Sequence, residues 1–409
     1  MQTVQDLKDP SHRRETPGHR FVTSTFWRSF PAGMRRRWWL FRPFDFFVRR
    51  FPTFRRRRGV LVIRMDGIGD MVLFRNTLDH YAEIFGVDNS EITVLGCTSW
   101  GSITDEVFKG YRVRVIDEHA YARWPHYRLW ISLMVRLLAP AVTVCDSYMR
   151  RALMADSLAY MAGAPKTIVS LPYINEPTRT EFTYYISQTD RIINTGVYPT
   201  HEIVRHYRFI SALAGRSIEP EPPRISWRDK EPPIETGKPY VILNPGSNEP
   251  GRRWPLNDYF QIADRLLEKG YRVVLVGSME EKSSAAIIDA YASKPDVIDM
   301  IGRTSLPELL DLMKHAACVL SNDTGPAHLS IALGAPTVVV VGGGHFGSFV
   351  PYPPEVTPDN ARFVFRKMEC YHCFWRCPKR ASKFDVFPCI DAVGIEEVWE
   401  EIQNLMNIK

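Results

Sequence analysis

The sequence has no long hydrophobic run, because no segment reaches the roughly 18 consecutive apolar residues that a membrane-spanning helix needs. Its first residues, MQTVQDLKDPSHRRE, also lack the uninterrupted apolar stretch of a cleaved signal peptide. The seven cysteines are an odd number in a long chain, which argues against a disulfide framework. Together these absences predict a cytoplasmic protein.

The length of 409 residues exceeds one ordinary core and predicts two domains of roughly 150 residues with extensions. Apolar residues make up 45% of the chain and charged residues 24%, which excludes a fibrous or wholly disordered protein. The net charge of +6 is unevenly distributed: residues 1–58 hold 15 Lys and Arg against 4 Asp and Glu, whereas the remainder holds 37 against 42. A polyanionic partner is therefore expected for residues 1–58.

Residues 26–58 interleave eleven Phe and Trp residues with arginines. Aromatic rings favour the membrane interface and arginine favours anionic headgroups, so the main interpretation is a peripheral membrane anchor. Stacking on single-stranded nucleic acid and a helix packed on the body by its aromatic residues are the two alternatives. Pro31, Pro43 and Pro52 favour short amphipathic helices over one long helix.

The first domain, predicted over residues 59–215, begins with a strand, loop, helix and strand. Val60–Ile63 is a short apolar run, a helical stretch follows over 71–85, and 92–95 is the next buried strand. Residues 141–145 predict a further strand. This order is typical of a parallel sheet with crossover helices.

Residues 216–238 are rich in proline and charge and lack hydrophobic periodicity, which predicts a linker between two domains. The second domain, over 239–350, repeats strand and helix, with strands expected at 240–243, 272–276 and 337–341. The sequence therefore predicts two Rossmann-like halves that bind ligands at the carboxyl ends of their strands.

Two further features complete the second half. Ser305 and Glu308 have the spacing of a capping box, which predicts a helix start. Residues 351–409 form a cysteine-rich segment followed by a C-terminal helix.

The loop 244–247 (NPGS) follows the first strand of the second domain. With Arg252 and Arg253 just before the next helix, it offers a hydroxyl and two guanidinium groups. These groups suit a diphosphate.

A second loop, 321–326 (SNDTGP), runs directly into a helix. The free N–H groups and the positive dipole end of that helix suit phosphate, although Asp323 or Thr324 is alternatively an ordinary helix cap. Glu280 and Glu281 follow another strand, where an acid commonly holds ribose hydroxyls, and a solvated loop charge is the alternative.

Arg64, Asp66, Gly69 and Asp70 lie between the first strand and its helix. Gly69 is expected to let the backbone approach a ligand. Asp70 is expected to be either a general base or a favourable charge in the first helical turn. The loop lacks the third glycine of a dinucleotide fingerprint, which disfavours NAD binding.

Four motifs together resemble glycosyltransferase family 9, the ADP-heptose:lipopolysaccharide heptosyltransferases. They are RMDGIGD, NPGS followed by RRWP, GRTSLPELLDLM, and SNDTGPAHLSIALGAPTVVVVG. The resemblance runs from Val60 to the C-terminus and is most specific over 244–342. It implies an α/β fold of the GT-B type, in which two Rossmann-like domains face each other across a cleft. The C-terminal domain would bind the nucleotide-sugar and the N-terminal domain the acceptor.

The resemblance also implies roles for individual residues. Asp70 matches the proposed base that deprotonates an acceptor hydroxyl for inverting attack on the anomeric carbon. Arg252 matches a phosphate-binding position, and no metal or other cofactor is needed if protein donors stabilise the leaving diphosphate. The other matched positions are Ser247, Thr324 and Gly325 for phosphate, Asp323 for sugar hydroxyls, His328 near the same pocket, and Glu281 for the ribose. Arg64, Asp66 and Gly69 would lie on the acceptor side.

The implied activity is transfer of heptose, or a related sugar, from a nucleotide-sugar such as ADP-heptose to a lipopolysaccharide core or other lipid-linked glycan. The enzyme would work on the cytoplasmic side of the inner membrane, attached peripherally to its anionic surface through residues 26–58. A nucleotide-sugar epimerase of the same fold and an inactive lipid- or polyanion-binding protein are the alternatives. A nucleic-acid partner is not favoured.

Four of the cysteines cluster near the C-terminus, namely Cys370, Cys373, Cys377 and Cys389. Their spacing suits a structural zinc site or, less well, an iron–sulfur cluster. Reduced buried thiols are the alternative, and the spacing alone does not decide between them.

Overall fold

The computed structural model describes residues 38–175, 178–235, 237–279 and 285–408. Within these ranges the chain forms two six-stranded sheets in which every pairing is parallel. The first strand of each sheet is buried along its whole length, as expected for a parallel sheet covered on both faces.

The first sheet has the strand order β3-β2-β1-β4-β5-β6. Its strands are β1 (Val60–Ile63), β2 (Ile92–Cys97), β3 (Arg112–Ile116), β4 (Val142–Cys145), β5 (Lys166–Ser170) and β6 (Arg191–Ile193). This is the order of a doubly wound sheet, in which the switch point lies beside the first strand.

The second sheet has the order β12-β11-β10-β7-β8-β9, which is the same topology. Its strands are β7 (Tyr240–Asn244), β8 (Arg272–Leu275), β9 (Val297–Asp299), β10 (Cys318–Asn322), β11 (Thr337–Val340) and β12 (Ala361–Val364). The expectation of two Rossmann-like halves is therefore confirmed.

Helices connect and cover both sheets, and none in the described ranges is long and apolar enough to cross a membrane. The helices of the first half are α1 (Trp38–Arg50), α2 (Ile68–Leu78), α3 (Tyr81–Phe85), α4 (Thr104–Val107), α5 (Glu118–Arg123), α6 (Pro125–Leu137), α7 (Ser157–Ala162), α8 (Arg179–Ile186) and α9 (Glu202–Ala214). Those of the second half are α10 (Leu256–Glu268), α11 (Ala285–Ala292), α12 (Leu306–His315), α13 (Gly325–Ala332), α14 (Pro388–Asp391) and α15 (Ile395–Met406).

Two helices differ from the sequence expectation. The stretch 71–85 is not one helix but two, because α2 ends at Leu78 and α3 begins at Tyr81. Helix α1 continues through Pro43, so this proline does not separate two shorter helices. The capping box at the start of α12 is confirmed, since the Ser305 side chain accepts from the N–H of Glu308.

The linker 216–238 contains no helix or strand among its described residues, but it is tied to both domains. Asn76 of the first domain donates to the backbone oxygen of Pro222 at 2.8 Å. Trp227 and Arg228 both donate to the carboxylate of Asp311 in the second domain, at 2.8 and 2.6 Å for the nearest contacts. The linker is thus held against both domains by hydrogen bonds.

The C-terminal segment 351–409 is integrated into the second domain. Strand β12 pairs with β11 and supplies the sixth strand of the second sheet. Helix α15 buries Val398, Trp399 and Ile402 in the hydrophobic cluster that also contains residues of β7 and β10. The domain suggested by the sequence as 239–350 therefore gains an edge strand and a helix from the segment that follows it.

Candidate active site

A cleft between the two domains encloses about 630 Å³ at the carboxyl ends of the strands. Gly69 and Asp70 line it from the first domain, after β1, and Ser247 and Thr324 line it from the second, after β7 and β10. Parallel strands present their loops at this edge, so the cavity lies where the topology predicts a ligand.

Helices α2 and α13 bring their N-terminal ends together across the cleft. A Cβ atom on Gly69 would lie only 2.8 Å from Cδ2 of His328, and one on Gly325 would lie 3.0 Å from Cβ of Ile68. A larger residue at Gly69 would therefore push the two helices apart. The structure gives a second reason for glycine at this position, which is to make room for the imidazole ring of His328. Gly69 also lines the cavity, and its expected role in letting the backbone approach a ligand stays a prediction.

Asp70 is the third residue of α2, and its Oδ2 accepts a hydrogen bond from the N–H of Gly67 at 3.2 Å. Burial raises the pKa of Asp70 to about 7, the negative charge of Asp66 adds to the rise, and the guanidinium of Arg64 opposes it. A carboxylate with a pKa near neutrality is suited to accept a proton at physiological pH. Asp70 thus occupies the first helical turn, and its role as a general base stays a prediction that this pKa favours.

Arg64 is buried beside Asp70 and joins a network of charges. Its guanidinium lies 2.7 Å from Oδ1 of Asp146 and 2.8 Å from Oδ2 of Asp66, and it donates to the backbone oxygen of Asp70 at 3.2 Å. Oδ2 of Asp146 lies 2.8 Å from Nδ1 of His206. Although burial opposes the shift, His206 and Arg64 hold the pKa of Asp146 below its usual range. Arg64 and Asp66 therefore act on the candidate base through charge and position.

Asp146 and His206 were not identified from the sequence. Asp146 directly follows β4, and an acidic residue at the carboxyl end of a parallel strand was a usable signal. His206 lies within α9 and carries no motif, so only the three-dimensional packing of α9 brings it to Asp146.

The loops after β7 and β10 brace each other. Asn244 donates to Oγ of Ser321 at 2.9 Å, and Asn322 donates to the backbone oxygen of Pro245 at 2.8 Å. The Asn322 side chain also accepts from the N–H of Trp254 at 3.1 Å. These contacts hold the second-domain wall of the cleft in place before any ligand binds.

Two polar atoms in this wall have no hydrogen-bond partner among the described residues. Oγ of Ser247 and Nε of Arg252 are both buried and unpaired. Because an unpaired buried polar atom is costly, these atoms are suited to bind a ligand. Arg252 also forms an ion pair with Asp323 at 3.0 Å, whereas Arg253 donates to the backbone oxygen of Ser247 at 2.7 and 3.0 Å. Of the two arginines, Arg252 lines the cavity.

The N-terminal end of α13 faces the same cavity. Thr324 occupies the N-cap position, yet no side chain caps the helix, and its hydroxyl donates to the backbone oxygen of Asn322 at 3.2 Å. The ordinary cap that the sequence offered as an alternative is therefore not formed. An uncapped helix N-terminus presents N–H groups and a positive dipole end, which suit an anion.

His328 lies one turn into α13 and lines the cavity, as the resemblance implied. Its Nδ1 lies 2.7 Å from the hydroxyl of Tyr352. Burial lowers the pKa of His328 to about 4, so the ring is neutral at physiological pH. His328 is thus placed to form hydrogen bonds in the pocket rather than to supply positive charge.

The cysteine-rich segment contributes Trp375 to the cleft, which the sequence analysis did not anticipate. The guanidinium carbon of Arg252 lies 4.5 Å from the centre of a Trp375 ring. A Cβ atom on Gly344 would overlap the indole ring, at 2.2 Å from its Cδ2. The glycines after β11 therefore allow this segment to pack against the donor side of the cleft.

The four cysteines of this segment are not gathered into a metal site. Among the described residues, no three Cys, His, Asp or Glu side chains are arranged to hold a metal ion. Cys389 is buried, and its sulfur accepts a hydrogen bond from the N–H of Gly343 at 3.3 Å, while Cys370, Cys373 and Cys377 are half-buried. Burial raises the pKa of the Cys389 thiol. Zinc at this cluster stays a prediction.

Glu280 and Glu281, the candidate ribose partners, lie outside the residues that the structure describes. So do residues 1–37, which include the first part of the predicted membrane anchor.

Comparisons with known proteins confirm the resemblance to glycosyltransferase family 9. The family model described as Glycosyltransferase family 9 (heptosyltransferase) matches residues 215–377. Lipooligosaccharide heptosyltransferase 2 of Haemophilus ducreyi is 32% identical over 129 residues, which are 31% of this chain and 35% of that protein. The protein named Inactive autotransporter heptosyltransferase BimC, from Burkholderia thailandensis, is 27% identical over 225 residues, 51% of this chain and 49% of that protein. These matches span about a third to a half of each relative's length.

A solved structure extends the similarity to both domains. The structure of Escherichia coli ADP-heptose LPS heptosyltransferase II aligns with 85% of this chain and 98% of its own chain, with 18% identity and a TM-score of 0.62. At this identity the comparison shows the fold, and it confirms the expected GT-B arrangement of two facing Rossmann-like domains.

Proposed function

We propose, from its place in glycosyltransferase family 9, that the protein transfers a sugar from a nucleotide-sugar to a glycan acceptor. The proposed donor is ADP-heptose, and the proposed acceptor is a lipid-linked oligosaccharide such as a lipopolysaccharide core. The observation that carries the proposal is the cleft, where a carboxyl group with a pKa of about 7 faces an uncapped helix N-terminus and unpaired polar atoms.

The donor diphosphate is proposed to bind the second-domain wall. Arg252 supplies a positive charge, Ser247 supplies a hydroxyl, and Thr324 and Gly325 supply the start of α13. Diphosphate binding would compete with Asp323 for Arg252 and would free the Asp323 carboxylate to hold sugar hydroxyls. Because these protein groups offset the charge that develops on the leaving diphosphate, the proposed mechanism requires no metal ion.

The chemical step is proposed to be a direct displacement. Asp70 accepts the proton of an acceptor hydroxyl while that oxygen forms a bond to the anomeric carbon of the donor. The bond from this carbon to the diphosphate oxygen breaks, and its electron pair leaves with the nucleoside diphosphate. Attack opposite the leaving group inverts the anomeric configuration. A pKa of about 7 leaves roughly half of Asp70 ionised at neutral pH and makes the carboxylate a stronger base than an ordinary Asp.

Asp70→Asn tests this step. The amide keeps the size of the side chain but cannot take the proton, so turnover should fall by about 10² or more while donor affinity changes little. The measurements are turnover with ADP-heptose and donor binding by titration calorimetry. Asp79→Asn is the matched control, because Asp79 directly follows α2, is about half exposed and pairs with Arg75 outside the cleft. Unchanged turnover in Asp70→Asn would refute this role.

Peripheral attachment to the cytoplasmic side of the inner membrane is proposed for the basic, aromatic segment 26–58. A lipid-linked acceptor would be presented at such a surface. In the described part of this segment, α1 is packed on the first domain but leaves Phe47 72% exposed and Phe54, beyond the helix, 79% exposed. Packing on the body and membrane contact are therefore compatible for this segment.

An inactive binding protein is the second candidate function, because one relative is named inactive. The two candidates differ in one outcome. An active transferase releases nucleoside diphosphate from the donor, and the release slows in Asp70→Asn. An inactive protein binds the donor and releases no nucleoside diphosphate.

A further inference from the structure

Helix α6 buries Ile131 and Val135 in the core of the first domain, as an ordinary surface helix would, but its other positions depart from the usual pattern. Its arginines Arg128 and Arg136 are buried, whereas Leu129, Trp130 and Leu137 are exposed, at 42%, 62% and 38%. A helix that faces water normally turns its apolar residues to the core and its charges outward. The outward face of α6 is therefore not explained by the packing of the first domain.

The buried arginines attach α6 to α1 and to the residue that follows it. At the N-terminal end of α6, the Arg128 guanidinium lies 3.5 Å from Oδ1 of Asp45 and 4.0 Å from the ring centre of Phe41. At the C-terminal end, Nε of Arg136 donates to the backbone oxygen of Phe51 at 2.8 Å. Contacts at both ends mean that the chain over 41–51 runs alongside α6, so their exposed faces are neighbours.

Together these two segments concentrate exposed apolar surface. Residues 38–58 and 123–140, which include these two segments, hold eight of the thirteen large hydrophobic residues that are exposed in the described chain. We name this set the apolar platform; it consists of Phe46, Phe47, Phe51, Phe54, Trp124, Leu129, Trp130 and Leu137. Single exposed apolar residues are ordinary, but such a concentration marks an interaction surface.

The segments that bear the apolar platform are also strongly basic. Residues 38–58 and 123–140 contain ten arginines and a single carboxylate, that of Asp45, which is fully buried. Arg55 and Arg56 are exposed beside Phe54. The exposed part of both segments therefore carries positive charge alone, which selects an anionic partner.

We propose that the apolar platform docks on an anionic lipid surface. Leu129, Trp130 and Leu137 would lie among the acyl chains, and exposed arginines such as Arg55 and Arg56 would lie at the headgroups. Lipid fits better than nucleic acid, because Leu129 and Leu137 have no aromatic face on which a base can stack. The proposal rests on the membrane association proposed above. It adds a second helix that the sequence analysis left unassigned, and it does not require transferase activity.

The position of α6 relates the apolar platform to the cleft. The hydroxyl of Tyr127, in the first turn of α6, accepts from the N–H of Asp117, which directly follows β3. Helix α6 therefore begins at the carboxyl edge of the first sheet, the same edge that borders the cleft. A membrane on the apolar platform would lie beside the acceptor side of the enzyme.

The test compares binding of the full chain to vesicles of phosphatidylcholine with and without phosphatidylglycerol. The variant Leu129→Gln/Trp130→Gln/Leu137→Gln removes the apolar face of α6 and leaves every arginine in place. Its partition to phosphatidylglycerol vesicles should fall about tenfold or more, since binding scales with the apolar area that enters the lipid. The matched control is Ile287→Gln/Phe384→Gln, which alters two exposed apolar residues of the second domain, 56% and 70% exposed. It should bind as the unmodified chain does.

Two further measurements separate the causes of a failure. ADP binding should be equal in all three proteins, which shows that the α6 variant is folded. Quenching of tryptophan fluorescence by brominated acyl chains should fall in Trp130→Phe. The proposal is overturned if the α6 variant binds like the unmodified chain, or if the chain binds single-stranded RNA and no vesicles. Absence of vesicle binding would leave the donor site unaffected, since ADP binding is measured without lipid.

Discussion

The two walls of the cleft are built in different ways. The second domain supplies cavity-lining groups from two loops, around Ser247 and Thr324, that are joined by hydrogen bonds of asparagine side chains. The first domain supplies the carboxyl group of Asp70, whose pKa is raised first by burial and then by the charge of Asp66, against the opposing charge of Arg64. A substitution in the second-domain wall should therefore change the affinity for ligand. A substitution in the first-domain wall should change the pKa of Asp70 and the proposed proton transfer.

Removal of Arg252 should give the largest effect on the binding side. Arg252→Ala removes a cavity-lining charge and is expected to weaken ADP binding by about 10- to 100-fold, the range for a charge-assisted hydrogen bond. Arg253→Ala removes the same charge from the next residue, whose side chain is engaged with the backbone of Ser247, and should cost less than tenfold. Titration calorimetry of both variants with ADP makes the comparison. Equal losses would show that net charge, rather than position, controls binding.

Gly69→Ala should act on both walls at once. The added Cβ atom would meet Cδ2 of His328 at 2.8 Å, so we expect a loss of about 1–3 kcal/mol in the free energy of unfolding. Gly67→Ala is the control, because its Cβ atom would meet Oδ2 of Asp70 at 3.5 Å, an ordinary contact. Denaturant unfolding measures both. A loss in Gly67→Ala as large as that in Gly69→Ala would contradict the helix contact described above.

Asp66→Asn should give a smaller effect, which is confined to the pKa of Asp70 and the pH dependence of turnover. The negative charge of Asp66 raises the pKa of Asp70, so its removal should lower that pKa from about 7. The base would then stay ionised to lower pH, and the acid limb of the pH–rate profile should move downward by less than about one unit. The limb should not move in Asp79→Asn, which lies outside the cleft. An upward shift in Asp66→Asn would mean that Asp66 acts mainly through its contact with Arg64.

The sequence identified most of the second wall because its chemistry is local. Ser247, Arg252 and Thr324 lie in short loops at strand ends, where spacing and residue type are visible along the chain. Several strands of both sheets were likewise predictable from the sequence, since a buried parallel strand is an almost continuous apolar run. Roles of individual residues in the cleft remain predictions.

The first wall was less predictable because its contacts are long-range. Asp146, which follows β4, contacts Arg64, and His206 of α9 contacts Asp146, through packing that no local pattern encodes. The contact between Gly69 and His328 was not visible either, because it joins helices that lie far apart in the sequence. The exposed apolar face of α6 was missed for a related reason, because the burial of Arg128 and Arg136 depends on partners at Asp45 and Phe51 that no local pattern shows.

The central claim is that the cleft binds a nucleotide-sugar, and thermal unfolding with ADP, UDP, GDP and CMP tests it most directly. A ligand that binds only the folded state adds about 2.7 kcal/mol at 100 times its dissociation constant. We expect ADP to raise the unfolding temperature most, and to raise it much less in Arg252→Ala. If no nucleotide stabilises the protein, or if ADP stabilises Arg252→Ala equally well, the proposed donor site is wrong.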